Sequence, residues 1–297
     1  MYMAKTASAS ARRSDLWRRL RRFVQLWIDL FARHDLLNHA SAIAFQVLKS
    51  IIPLTLFALA LLGAVGEKRV WNDTIAPAIK PHLQTATFHA IDVAAQKIFS
   101  TPTGGLLAFS ALLSIWYVSG GVRAAMGGIN DVYEAKERRP WLVRYAISFS
   151  LAICISICVV GALLLAATGI GRVGNGVLQA LLDIGRWVVA VAALAVAVAL
   201  LVRFAPVKHR PTRWASAGSV LVIAAWIAAT FIFKLFVTHF ANFKTATGSL
   251  AVFLVLIGYV YTSSIIFLVG VEVDELLRAD AKGAPRGVFH LLFGLNR

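Results

Sequence analysis

Residues 40–62 read ASAIAFQVLKSIIPLTLFALALL, and Lys49 is the single formal charge among them. A helix of about 20 apolar residues crosses roughly 30 Å of hydrocarbon, so this stretch is long enough to span a bilayer. Pro53 inside it is tolerated if neighbouring helices satisfy the carbonyl it frees, and it marks a kink. Further stretches of the same character lie near 104–126, 143–167, 184–204, 214–237 and 248–272. The whole chain of 297 residues is 59% hydrophobic and only 15% charged, with a mean hydropathy of +0.74. Soluble domains carry about 25% charge, so no single water-soluble core could absorb this composition. The fold class read from the sequence is an all-α integral membrane protein with six transmembrane helices.

The charge that remains is lopsided, 30 Lys+Arg against 14 Asp+Glu. In a soluble chain such an excess points to nucleic acid; in a membrane chain it marks loops facing anionic lipid in the cytoplasm. Its distribution supports the second reading. Lys5, Arg12, Arg13, Arg18, Arg19, Arg21, Arg22 and Arg33 precede span one. Arg123, Lys136, Arg138, Arg139 and Arg144 surround the connection between spans two and three. Arg203, Lys208, Arg210 and Arg213 surround that between four and five, and Arg278, Lys282, Arg286 and Arg297 follow span six. The alternate connections hold far fewer, so both termini are expected in the cytoplasm.

Outside the spans, Leu16, Trp17, Leu20, Phe23, Val24, Trp27, Ile28 and Phe31 recur at steps of three and four. Arg18, Arg19, Arg21 and Arg22 lie largely on the other side, as in an amphipathic helix lying in the headgroup layer with its arginines on lipid phosphates. The alternatives are a solvated basic arm or an RNA-binding arm; no stacking platform or base-reading module accompanies the segment. Between spans one and two, Phe88, Ile91, Ala95, Ile98 and Phe99 keep a helical spacing after Pro77 and Pro81, which predicts an outer-side helical excursion. Residues 168–182, with Gly169, Gly171, Gly174 and Gly176, read as a flexible outer loop. The expected organisation is a basic interfacial segment over 1–39, a six-helix membrane domain over 40–277 and a cytoplasmic tail over 278–297.

Motifs distributed along this frame resemble a known family. Asp35-Leu-Leu-Asn-His-Ala-Ser-Ala-Ile-Ala-Phe45, running on to Ser50-Ile-Ile-Pro53, resembles the first-span signature of the YihY/BrkB family. Trp116-Tyr-Val-Ser-Gly-Gly-Val-Arg-Ala-Ala-Met126, followed by Ile129-Asn130-Asp-Val-Tyr133, is similar to its second-span motif. Arg203-Phe-Ala-Pro206 with Trp214 and Gly218 resembles the connection between spans four and five. Thr247-Gly-Ser-Leu250, Gly258-Tyr-Val-Tyr261 and Gly270-Val-Glu272 resemble the sixth span. The resemblance covers residues from about 30 to 278. It implies a six-helix bacterial inner-membrane protein linked to envelope integrity, serum resistance and lipopolysaccharide-precursor export, and it carries an old ribonuclease BN label generally regarded as mistaken. Lys49 departs from the family, which has an uncharged residue there.

Catalytic chemistry is not legible. The acids are dispersed, with Asp131, Glu134 and Glu137 in one connection and Glu272, Asp274 and Glu275 at the end of span six. The seven histidines form no metal-ligand spacing and no phosphate-cradling GxxxxGK[ST] is present. Cys154 and Cys158 lie on one helical face in an apolar run and read as packing residues. The expectation is no enzyme, no cofactor, no metal and no nucleic-acid partner, with the phospholipid bilayer, anionic lipid and envelope-assembly proteins as partners.

Polarity within the spans is informative, because ionisable groups there are expensive and face a bundle interior or cavity. The candidate polar path is His39, Gln46, Lys49, Arg123, Asn130, Tyr259, Thr262, Ser263 and Glu272. Two readings are open: these groups hydrogen-bond each other and fix helix packing, or they line a path for an ion or an amphiphile's headgroup. Lys49 is expected to point inward beside Gln46, towards the hydroxyls of Tyr259, Thr262 and Ser263 or cavity water. Three functional classes follow: a transporter or flippase-like protein for an anionic lipid or envelope precursor, a scaffolding membrane protein, and a membrane-bound hydrolase.

Overall fold

The computed structural model describes residues 21, 24–82, 85–101, 103–167, 176–207, 212–240 and 246–281. Among them every regular element is a helix. Span one is Leu36–Val65, span two Thr103–Val132, span three Trp141–Ala167, span four Gly176–Phe204, span five Thr212–Phe240 and span six Ala246–Ala281. All six are long and apolar enough to cross a membrane. Spans one, two, four and six are each at least seven residues longer than the stretches read from hydropathy. Gly176 already lies in a helix, so the loop expected over 168–182 is shorter than the glycines suggest; residues 168–175 lie outside the described residues.

Each span packs against the next in chain order, and span six returns to span one, which makes a closed ring in which span two also touches span six. The end carrying the 2–3 and 4–5 connections is called the basic end below. The ring is tightest where spans one and two cross. Ala40 and Ala44 are buried there, and a Cβ added at Gly128 would sit 2.8 Å from Leu268 Cδ2 and 3.2 Å from His39 Cβ. A Cβ at Gly120 would lie 2.9 Å from Gln46 Oε1. With no hydrophobic drive between helices in lipid, such close backbone approach is what holds a pair together. In span five, Ala224 and Ala228 share the same four-residue spacing but are exposed rather than packed. Buried serines serve the same purpose: Ser110, Ser119 and Ser148 donate to carbonyls three residues back at 3.1, 2.7 and 2.9 Å. Their hydroxyl protons are thus satisfied within their own helices.

Two apolar cores result. The larger, at the basic end, joins Leu36, Ile43, Met126, Ile129, Val202, Phe267 and Leu268, with Phe31 of the helical residues 24–33 packed against it. Of the arginines expected on lipid phosphates, Arg21 is exposed, and Arg18, Arg19 and Arg22 lie outside the described residues. The smaller core, at the opposite end, seats the helix Thr85–Ser100 on span one through Leu62, Trp71, Ala95 and Phe99. Trp71 Nε1 donates to Asp92 Oδ1 at 2.8 Å, which ties the two halves of this connection. Pro77 sits at the start of the short helix Ala76–Ile79, where its missing N–H costs nothing.

Candidate functional site

Span one begins after a turn in which Asp35 takes a left-handed conformation, φ 47°, a conformation Asp tolerates because of its short polar side chain. The turn carries His34 off the helix and towards span six. There His34 Nδ1 meets Glu272 Oε2 at 2.9 Å, with both side chains nearly fully enclosed. A buried carboxylate must be paired, and this histidine supplies the partner. The hydrogen bond to Glu272 raises the His34 pKa above its ordinary 6.5 against the opposing effect of burial, helped by the charges of Glu272 and Glu134. His34 Nε2 is buried with no hydrogen-bond partner. One turn on, His39 Nε2 lies 2.7 Å from Asp131 Oδ2 of span two, with the histidine 23% and the aspartate 56% exposed. Span one is therefore tied to spans six and two through two histidine–carboxylate pairs at the basic end.

A second polar cluster ties span two and the 2–3 connection to the chain just after span four. Asn130, 4% exposed, donates from Nδ2 to Glu137 Oε2 at 3.1 Å, while its Oδ1 accepts from the Val207 N–H at 2.9 Å. Arg139 closes the ring with Nε to Glu137 Oε1 at 2.9 Å, Nη2 to Oε2 at 2.8 Å, and Nη2 to the Ala205 carbonyl at 2.9 Å. The Arg139 guanidinium holds the Glu137 carboxyl below its ordinary value, against the upward push of burial.

Arg123 is half-buried inside span two. Its Nη1 donates to Ser119 Oγ at 2.9 Å and to Ser148 Oγ at 3.1 Å, and its Cζ stands 4.4 Å from the Tyr145 ring centroid. Among the described residues it has no carboxylate partner. Between the two clusters and open to one side lies a cleft of about 420 Å³, whose walls include Arg33, His34, Lys136 and Arg144.

The remaining residues of the expected path separate. Gln46 lies against Gly120 and Gly121 in the seam between spans one and two. Lys49 does not point inward: it is exposed, its Nζ 5.1 Å from the Phe45 ring centroid and 5.3 Å from that of Tyr117. The reason is rotation. At about 100° per residue, ten residues carry Lys49 about 80° around the helix from His39, past the buried edge. The expected partners stay on span six and turn towards span five. Tyr259 Oη bonds Thr230 Oγ1 at 2.9 Å, the Ser263 carbonyl accepts from Trp226 Nε1 at 3.0 Å, and Thr262 is half-buried. Ser263 Oγ is buried without a hydrogen-bond partner.

Sequence reasoning thus placed His39, Asn130 and Glu272 at the right end but missed His34, Asp131, Glu137 and Arg139 as their partners. The available signal was matched depth, since His34 just precedes span one and Glu272 ends span six on the same side. Among the described residues, no group of three or more His, Cys, Asp or Glu side chains is placed to hold a metal ion.

Residues 28–288 match the family described as Virulence factor BrkB. The chain is also similar to YfkH of Bacillus subtilis (strain 168), a protein whose name calls it ribonuclease-like. The two are 26% identical over 273 residues, covering 88% of this chain and 98% of that protein. No solved structure matches. With the match running from the helix before span one to beyond the end of span six, this chain belongs to the virulence factor BrkB family.

Proposed function

We propose that this protein lies in the bacterial cytoplasmic membrane with its basic end and both termini in the cytoplasm, and that it handles an anionic amphiphile there, an anionic lipid or envelope precursor, as a transporter or flippase-like protein. The observation that carries this reading is Lys49. It stands mid-way along span one on an exposed face, between two aromatic rings. A lysine facing hydrocarbon near the bilayer centre costs about 2.5–3.5 kcal/mol on insertion scales, and an anionic headgroup drawn alongside would offset that cost. From the His39–Asp131 pair, Gln46 follows in the seam between spans one and two, and Lys49 lies beyond it on the exposed face. The helix Thr85–Ser100 then caps the outer end.

Exchange of labelled phosphatidylglycerol between leaflets of reconstituted liposomes tests this. Exchange faster than in empty liposomes, slowed by Lys49→Met in a protein of unchanged elution profile, supports it. Wild-type liposomes no faster than empty ones would sink it.

The dense polar clamp of Asn130, Glu137 and Arg139 favours a second reading, a rigid scaffold that recruits envelope-assembly proteins and moves nothing. Exchange at the background rate, together with intact Glu137-dependent stability, would favour that scaffold. Neither reading makes the protein an enzyme. The ribonuclease-like name of the Bacillus relative is not carried over, and the purified chain is expected to leave RNA intact. Cleavage that co-purifies with it and vanishes on replacing Asp131 or Glu272 would reverse this.

A further inference from the structure

We infer that the cleft at the basic end is a binding site for a phosphate-bearing group, with Arg33, Lys136 and Arg144 as its ligands. The inference rests on the reading above, since it places the headgroup's first contact on the cytoplasmic side.

The charge pattern of the cleft carries it. All three cations line the cleft, and among the described residues none of them makes an ion pair. Arg144 Nε is buried with no hydrogen-bond partner, an arrangement a guanidinium does not adopt cheaply. The carboxylates that share the walls are already engaged. Asp131 is taken by His39, and Glu137 is held by Arg139 and Asn130. Glu134 lies where its charge favours the protonated form of His34. Arg144 is felt at Glu137 through space only. What the cleft offers an incoming ligand is therefore cationic donors from three elements: the helix before span one, the 2–3 connection and the start of span three. An arginine fork and a lysine point charge are the usual means of holding phosphate oxygens. The volume of about 420 Å³ lies within the ~300–1,000 Å³ range of small-ligand sites. A neutral or cationic ligand would gain little from three cations that make no direct ion pair.

The phosphate could belong to a lipid headgroup or to a free anion, and calorimetry on the full chain in phosphatidylcholine nanodiscs separates them. Dihexanoyl phosphatidic acid, inorganic phosphate and dihexanoyl phosphatidylcholine are the probes. Saturable binding of phosphatidic acid but not phosphatidylcholine is expected. It should weaken at least about tenfold in the Arg33→Gln/Lys136→Gln double variant, the loss expected from two charged hydrogen bonds. Both residues are exposed, so the double variant should fold, checked by an unchanged elution profile; Arg144→Lys, which removes the fork and keeps the charge, should also weaken binding. Binding of inorganic phosphate alone would keep the site and assign it to a soluble anion. Absence of saturable binding of either anion, or unchanged affinity in both variants, would overturn the site. Wild type that binds phosphatidic acid yet exchanges no lipid would retain the site and remove the transport reading. Lipid exchange without binding at the cleft would do the reverse.

Discussion

The two ends of the bundle are held by different means. In span six, Ser264, Phe267, Leu268, Val271, Glu272, Asp274 and Leu276 are buried towards the basic end, whereas none of residues 253–259 is. Span five repeats the contrast, with Val222 and Ala229 buried and none of residues 230–237 enclosed. At the basic end the spans are joined by histidine–carboxylate pairs and the Asn130–Glu137–Arg139 ring. At the opposite end the extra helix and the segment before it seat span one through Trp71 and Phe99, with Leu164 of span three packed against them. Packing and interhelical hydrogen bonds are the main forces between helices in lipid. The basic end is therefore the more densely tied part of the bundle, while the opposite halves of spans five and six are less enclosed and meet through the Thr230–Tyr259 hydrogen bond and the Phe233–Tyr259 ring contact. The function proposed above would use such a contrast, with a firmly tied charged end and less enclosed helices at the other.

The largest blow to this division should come from His34→Leu. It strands Glu272, a carboxylate 1% exposed, and removing one partner of a buried pair costs about 3–5 kcal/mol. The midpoint of thermal unfolding in detergent should fall sharply. Replacing both partners, His34→Leu with Glu272→Met, should recover most of the loss, because a buried pair exchanged for apolar groups is often neutral. A single variant as stable as wild type would mean that the basic end is not the more firmly tied one.

Next in size is one substitution made at both ends. Gly128→Ala puts a methyl 2.8 Å from Leu268 Cδ2 and 3.2 Å from His39 Cβ. Overpacking of this kind costs about 1–3 kcal/mol. The Leu268 methyl can rotate away, so the lower part of that range is expected. At Gly185, near the opposite end of span four, the new methyl would meet nothing within 4 Å. Gly185→Ala should be neutral or stabilising by up to about 1 kcal/mol through helix propensity. Equal losses at both positions, read from unfolding midpoints, would erase the contrast.

Much of the frame was legible and most of the site was not, for a physical reason. Spans are set by length and apolarity, properties local to a stretch, and all six were readable from composition alone. The ion pairs are set by which faces meet across the ring. His34 and Glu272 are 238 residues apart, and no periodicity within either helix specifies the other. Lys49 shows the limit from the other side. Steps of three and four suggested a shared face with Gln46, but Gln46 lies at the boundary between buried and exposed faces. A further three residues turned the lysine outward.

The smallest expected effect is on pH, and it sharpens the comparison because His34 and Glu137 both belong to the basic end. His34 has its pKa raised in the folded protein above 6.5. Its contribution to stability is fully present below pH 6.5 and is lost as pH rises through the raised value, where the histidine gives up its proton and Glu272 loses a charged partner. Glu137 has its pKa lowered below 4.5. Its contribution is present above that value and is lost as pH falls through the lowered one, when the carboxyl no longer answers Arg139. Stability in detergent should therefore pass through a broad maximum between the two, declining on the alkaline side first through span six and on the acid side through the 2–3 connection. His34→Leu should flatten the alkaline limb and leave the acid limb in place; Glu137→Gln should do the opposite. The same scan read at the opposite end, through quenching of Trp71 by a water-soluble quencher, should stay flat until global unfolding. A Trp71 signal that moves with the alkaline limb before unfolding would show the two ends to be coupled rather than separately held.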